Sequence, residues 1–172
     1  ATLSTCATGS AIDFSDPPHL PAGHPAALSM LWLSTLHQYG FWTATHGRWT
    51  GPMYAELDGR RYKGSDFIWA AFARAARADP SLLQPERMSR EPDLFARICT
   101  DDTGACPVPD LQSHSALHMA HGHAMAGRSY DQILDEVRRS TTPGAALLEL
   151  LRRQPGYMGD PLQKKASLLL LI

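Results

Sequence analysis

Proline and glycine cut this chain into helix-length pieces, and that punctuation constrains the fold more than any single motif. Leu28, Leu31, Trp32 and Leu36 recur at helical spacing after Pro25. Proline suits a first helical turn because the N–H it lacks would have no partner there, so a helix is predicted from near Pro25 to Tyr39. Ser65 is a good N-cap for a second helix over 66–78, whose Ile68, Trp69, Ala71, Phe72, Ala75 and Ala76 form a small-residue packing face. Asp79-Pro80 ends it, since the residue before proline is pushed out of the helical region. A shorter helix is predicted from Pro92 to Ile98, and another from Asp110 to Ala126. Ser129 with Gln132 makes a capping box for the next, through Ile133, Leu134 and Val137. Pro143 opens a helix that Gln154-Pro155-Gly156 closes, and a last one starts at Asp160-Pro161.

Strand signals are confined to one place. Met53 to Leu57 followed by Asp58-Gly59 reads as a short hairpin, because Asp-Gly readily supplies the positive φ angles of a tight turn. Six to eight helices with short connections therefore predict an all-α, single compact helical domain with at most a short hairpin. Residues 1–23, rich in Ser, Thr, Gly and Pro, read as an irregular N-terminal arm, and 24–172 as the helical domain. The chain has 172 residues, enough to bury a proper core. It begins without Met and stops inside the apolar run 166–172, so we expect the natural protein to continue past Ile172.

Charge and cysteine content narrow the function. A formal net charge of -1 argues against a dedicated nucleic-acid binder, which carries a basic excess. Cys6, Cys99 and Cys106 cannot pair completely and match no zinc spacing, which suits a reduced, cytoplasmic protein. The first twenty residues lack a basic start and an apolar run, and the terminal apolar segment is too short to span a bilayer.

Two stretches carry recognition chemistry. Leu36-His37-Gln38-Tyr39-Gly40-Phe41-Trp42 sets aromatic rings where an apolar helix gives way to a turn. Tyr62-Lys63-Gly64-Ser65-Asp66 leads into Ala70-Ala71-Phe72-Ala73-Arg74-Ala75. Rings beside glycine suit capture of a flat ligand, and suit a hydrophobic core equally well. His114, His118 and His121 lie at i, i+4 and i+7 on one helix face, with His123 beside them. No glutamate lies between them as a metalloprotease would require, so partly buried or surface imidazoles are expected rather than a metal site. Asp101 and Asp102 fall in a Pro/Gly-rich connection. Asp160 begins the last helix, where capping alone explains it. Lys164 follows at i+4, within pairing distance of Asp160. A carboxylate and a lysine placed together in this way can also stabilise an electron-poor sugar carbon and manage a leaving base.

The order of these segments resembles the queuosine salvage family, the queuosine 5′-phosphate N-glycohydrolases. Phe41-Trp42 resembles the family's Asn-Phe-x-Phe-Trp-like helix end. Tyr62-x-Gly64 and 70–75 are similar to its Tyr-x-Gly loop and Ala-Ala-x-x-Arg-Ala helix. Asp101-Asp102 with Pro107-Val108-Pro109-Asp110-Leu111 resembles its aspartate loop and Ile-Pro helix start. Pro155 to Asp160 and Lys164-Lys165-Ala166-Ser167 resemble its Phe-x-x-Phe-Arg-Asp-like turn and Lys-Arg-Ala-Gln helix. Ser34 replaces an acidic residue, and no counterpart of the family's Asp-Tyr-Arg-like segment precedes Ile172.

The resemblance implies a helical fold related to the helix-hairpin-helix DNA glycosylases and hydrolysis of a base–ribose bond, without metal or organic cofactor. It implies Asp160 as catalytic carboxylate assisted by Lys164. Phe41, Trp42 and Tyr62 would stack on a deazapurine base, with Asp66, Asp101 and Asp102 among the residues contacting substrate. The partner is then a small nucleoside or nucleotide, not a membrane or a nucleic acid. Two other readings remain open at this level: a DNA glycosylase of the same helical class, and a non-catalytic helical interaction module. The paired cations at Arg60-Arg61-Lys63, Arg138-Arg139 and Arg152-Arg153 suit solvated helix faces better than a phosphate track.

Overall fold

The computed structural model describes Leu20, residues 24–26, Ser29, Met30, Leu33, 51–64 and 66–153, with only the backbone at Leu151. Of the helix predicted after Pro25, Ser29, Met30 and Leu33 are helical, and the Met30 N–H bonds the Ala26 carbonyl at 2.9 Å. The N-terminal arm through His19, the rest of that first helix, and the segment from Gln154 onward lie outside the described residues, as does the Ser65 cap.

Two strands follow: β1 (Tyr54–Leu57) and β2 (Arg60–Lys63). They pair antiparallel with Leu57 opposite Arg60 and Tyr54 opposite Lys63. Asp58 and Gly59 both take positive φ (54° and 72°), the signature of a type I′ turn whose twist matches the flanking strands. Alternation then puts Ala55, Leu57 and Tyr62 on the inner face, where all three are buried.

Helix α1 (Asp66–Ala78) lies against this hairpin and supplies the centre of the core through Phe67, Ile68, 70–73, Ala75 and Ala76. Its small residues let neighbours approach closely, while Phe67 and Phe72 fill volume. After α1 the structure adds two elements that the sequence reading did not include. A 3₁₀ turn over Pro80–Leu83 is capped by Asp79, whose carboxylate accepts the Ser81 N–H at 2.9 Å. Helix α2 (Pro85–Arg90) begins on a second proline. Both prolines start turns, as their fixed φ permits, rather than merely ending α1.

Helix α3 (Leu94–Ile98) starts two residues later than predicted from Pro92 and buries Leu94, Phe95 and Ile98. Helix α4 (Leu111–Ala124) is capped by Asp110 in a left-handed conformation and packs most extensively on α2. The approach is close at Gly122: a Cβ there would meet the Ser89 nitrogen at 2.4 Å and the Met88 carbonyl carbon at 2.7 Å. Helix α5 (Tyr130–Arg139) carries the predicted Ser129–Gln132 capping box, and α6 (Pro143–Arg152) packs back on it. The described residues are thus mostly helical with one two-stranded sheet. None of their helices is long and apolar enough to cross a membrane.

Candidate functional site at the hairpin and its docked loop

Residues 100–106 form a turn that docks on the hairpin. Within it the Asp101 N–H bonds the Ala105 carbonyl at 2.8 Å and the Gly104 N–H bonds the Asp101 carbonyl at 3.0 Å. Gly104 takes φ 83°, a left-handed value that glycine adopts without a Cβ penalty. The Asp101 carboxylate serves its own turn. One oxygen accepts from the Thr103 N–H at 2.9 Å, the Thr103 hydroxyl at 2.6 Å and the Ala105 N–H at 3.2 Å.

The Asp102 carboxylate points instead to the hairpin tip. Oδ1 accepts the Asp58 N–H at 3.0 Å and Oδ2 the Gly59 N–H at 2.9 Å, while the Asp102 N–H bonds the Glu56 carbonyl at 2.9 Å. The backbone N–H groups of Gly59 and Asp58 hold this carboxyl below its ordinary value, because both bonds favour the ionised form. Arg74 completes the clamp from α1. Its guanidinium donates to the carbonyls of Thr100 and Ile98 and lies 3.7 Å from the Asp58 carboxylate. Its place in Ala70-Ala71-x-x-Arg74-Ala75 marked it in the sequence, but nothing local indicated partners 24 and 26 residues away.

Tyr62 and Asp66 occupy the rest of the hairpin. Tyr62 sits on the inner face, 8% exposed, with the Arg60 guanidinium 5.8 Å from its ring centre. The ring is therefore largely a core element with a cation over it. On the opposite face Arg61 lies 4.5 Å from the Tyr54 ring centre, an aromatic–cation pair that the sequence reading did not single out. Asp66 opens α1 beyond the far end of the strands. Partial desolvation raises its carboxyl, against the lowering effect of the Lys63 ammonium. Asp102 binds the turn end and Asp66 follows the open end, so roughly 10 Å of strand separates the two positions. The structure gathers Asp101, Asp102 and Arg74 at one end of the hairpin, and leaves Asp66 at the other.

The four remaining residues implied as functional, Phe41, Trp42, Asp160 and Lys164, lie outside the described residues.

The histidine face proves to be core. His114, His118 and His121 are 4%, 1% and 1% exposed, more deeply buried than the sequence suggested, whereas His123 is exposed. His114 stacks on Phe95 with ring centres 5.2 Å apart and planes 9° apart. His118 lies 5.7 Å from Phe95 and 6.2 Å from Phe72, both tilted. Burial pushes His114 down to about 4 and His118 to about 3, with neighbouring imidazoles lowering His118 further. No group of three or more His, Cys, Asp or Glu among the described residues can hold a metal ion. Cys99 is a buried free thiol raised by desolvation, and Cys106 a half-buried one raised for the same reason. That environment suits packing rather than nucleophilic chemistry.

No protein-family model and no curated protein matches the chain.

Proposed function

We propose that this chain is an N-glycosidase that hydrolyses the base–ribose bond of a 7-deazaguanine nucleotide such as queuosine 5′-monophosphate, releasing the free base for salvage. The observation that carries the reading is the clamp around Arg74. The Tyr62-x-Gly64 hairpin, the Ala70–Ala75 helix and the Asp101–Asp102 loop are three of the segments whose order resembles that family, and Arg74 and Asp102 join them. Segments that meet in space through polar contacts to backbone suit a rigid scaffold for binding loops. The reading includes a helical fold related to the helix-hairpin-helix DNA glycosylases and a cytoplasmic protein.

In this mechanism the C1′–N bond breaks with its electron pair leaving on the base, and positive charge develops on the ribose ring. Asp160 stabilises that charge or orients the water that adds to C1′, and Lys164 pairs with Asp160 or with the substrate phosphate. Phe41 and Trp42 stack on the base. Tyr62, largely buried on the inner face of the hairpin, backs this site, and Asp66 lies beside Lys63 at the start of α1. The bonding of Asp101 and Asp102 assigns them to loop and hairpin positioning before any contact with the base.

The test is incubation with queuosine 5′-monophosphate, with free queuine followed by mass spectrometry and Asp160→Asn run alongside. Release by the natural sequence, lost in a folded Asp160→Asn protein, is the expected outcome. An active Asp160→Asn variant removes the catalytic assignment, and no release from the natural sequence removes the reaction.

A further inference from the structure

A cavity of about 500 Å³ lies between α2 and the turn from α4 to α5. That size is in the range that takes a small organic ligand. Its chemistry is specific. Arg90, in the last turn of α2, and Arg128, in the α4–α5 turn, both line it, as do their chain neighbours Ser89 and Ser129. Pro85 and Ala126 contribute small apolar surface, and among the described residues no aromatic side chain lines it.

From this lining we infer that the cavity binds a small phosphorylated polyol, with the phosphate held by Arg90 and Arg128. The inference does not rest on the glycosidase reading, since among the described residues none proposed for that reaction lines the cavity.

Two guanidinium groups contributed by different segments can offer paired N–H donors to a tetrahedral dianion. The described lining offers no aromatic platform, which favours a polyol over a nucleobase, because base recognition relies on stacking. Hydroxyl groups on the ligand instead meet Ser89 and Ser129: the Ser89 oxygen, whose O–H goes to the Glu86 carbonyl, can accept, and the Ser129 oxygen, which accepts the Gln132 N–H in the capping box, can donate its O–H.

The existing ion pairs leave these arginines exchangeable. Arg90 meets Glu86 at 3.1 Å with both side chains about 70% exposed, and Arg128 meets Glu136 at 2.6 Å with exposures of 40% and 56%. Solvated pairs of this kind contribute little, so a phosphate can replace the carboxylate at modest cost. Glu86 also lines the cavity, and so competes directly with an incoming anion for Arg90.

Glucose 6-phosphate is the probe, because it is neither substrate nor product of the reaction proposed above. Binding is measured by calorimetry at low ionic strength, with inorganic phosphate and glucose as the separate parts. We expect glucose 6-phosphate to bind more tightly than inorganic phosphate, and glucose alone not to bind. Arg90→Gln and Arg128→Gln should each weaken binding by about tenfold. Glu86→Gln should tighten it by about threefold by freeing Arg90, a gain that a merely structural role would not produce. All three side chains are at least 40% exposed, so unchanged melting of the variants checks that they fold. No binding of glucose 6-phosphate, affinity indifferent to both arginines, or equal affinity for inorganic phosphate overturns the assignment.

Discussion

The hairpin clamp and the histidine face of α4 are both clusters of titratable side chains, yet opposite physics holds them. At the clamp, the Asp102 carboxylate stays near solvent, meets backbone N–H groups, and is lowered because those bonds favour its charge. On α4, imidazoles are withdrawn from water among Phe72 and Phe95, and burial lowers them because it disfavours their charge. A downward shift therefore means a stabilised anion in one region and a suppressed cation in the other. Residue type alone does not distinguish a binding site from a core; the surroundings of the charge do.

Acid should separate the two regions most sharply. A histidine with a lowered folded value binds its proton in the unfolded chain first. Stability is therefore full above the ordinary value of 6.5 and falls with pH until the folded values of about 4 and about 3 are reached. His114 and His118 should each cost about 3 kcal/mol by pH 4. The Asp102 contribution is present above the ordinary carboxyl value of 3.8 and is lost only as pH falls through its lower folded value. Urea unfolding between pH 7 and pH 4 should thus report the histidine face before the clamp. His118→Leu keeps an apolar contact with Phe72 and Phe95 and should flatten the slope in that window. An unchanged slope in His118→Leu would place the acid response elsewhere.

The next largest effect tests how tightly the histidine helix is seated. Gly122→Ala puts a methyl group within 2.4–2.7 Å of the backbone and Cβ of 88–89, atoms that no rotamer change can move. The two helices must separate, at a cost of about 3 kcal/mol. Chemical denaturation reads that loss directly. A variant as stable as the natural sequence would mean that the α2–α4 contact yields easily, and that burial of the histidines does not depend on it.

The two regions also differ in how far the sequence disclosed them. Local signals were legible: Asp58-Gly59 for the turn, Ser129 with Gln132 for the α5 cap, Pro143 for α6, and the spacing that puts three histidines on one face. What escaped was set by partners distant in the chain. Asp102 bonds N–H groups 43 and 44 residues away, and Arg74 bonds the Thr100 carbonyl across 26. The depth of His118 depends on Phe72 and Phe95, which α1 and α3 bring to it. The 3₁₀ turn and α2 were missed for another reason. Asp79-Pro80 signals the end of α1 and the sequence reading gives Pro85 no role, although each proline begins a turn of its own and Asp79 caps the first. Of the candidate site, the sequence marked Tyr62, Asp66, Asp101 and Asp102, but not that Asp66 lies away from the two loop carboxylates.

The smallest effect bears most directly on the candidate site. Asp102→Ala removes two charge-assisted bonds at an exposed turn and should cost about 1–2 kcal/mol, comparable to losing a helix cap. Its consequence should be local. The Asp58 and Gly59 amides lose their acceptor and should exchange with deuterium much faster, while amides of α4 keep their protection, since global stability falls only modestly. Asp101 should still organise its own turn, because the bonds from Thr103 and Ala105 do not involve Asp102. If α4 amides lose protection together with the hairpin tip, clamp and histidine face belong to one cooperative unit. Local release at the hairpin with α4 intact would instead make the clamp a separately adjustable support, and place its role in the proposed reaction in loop position rather than in folding.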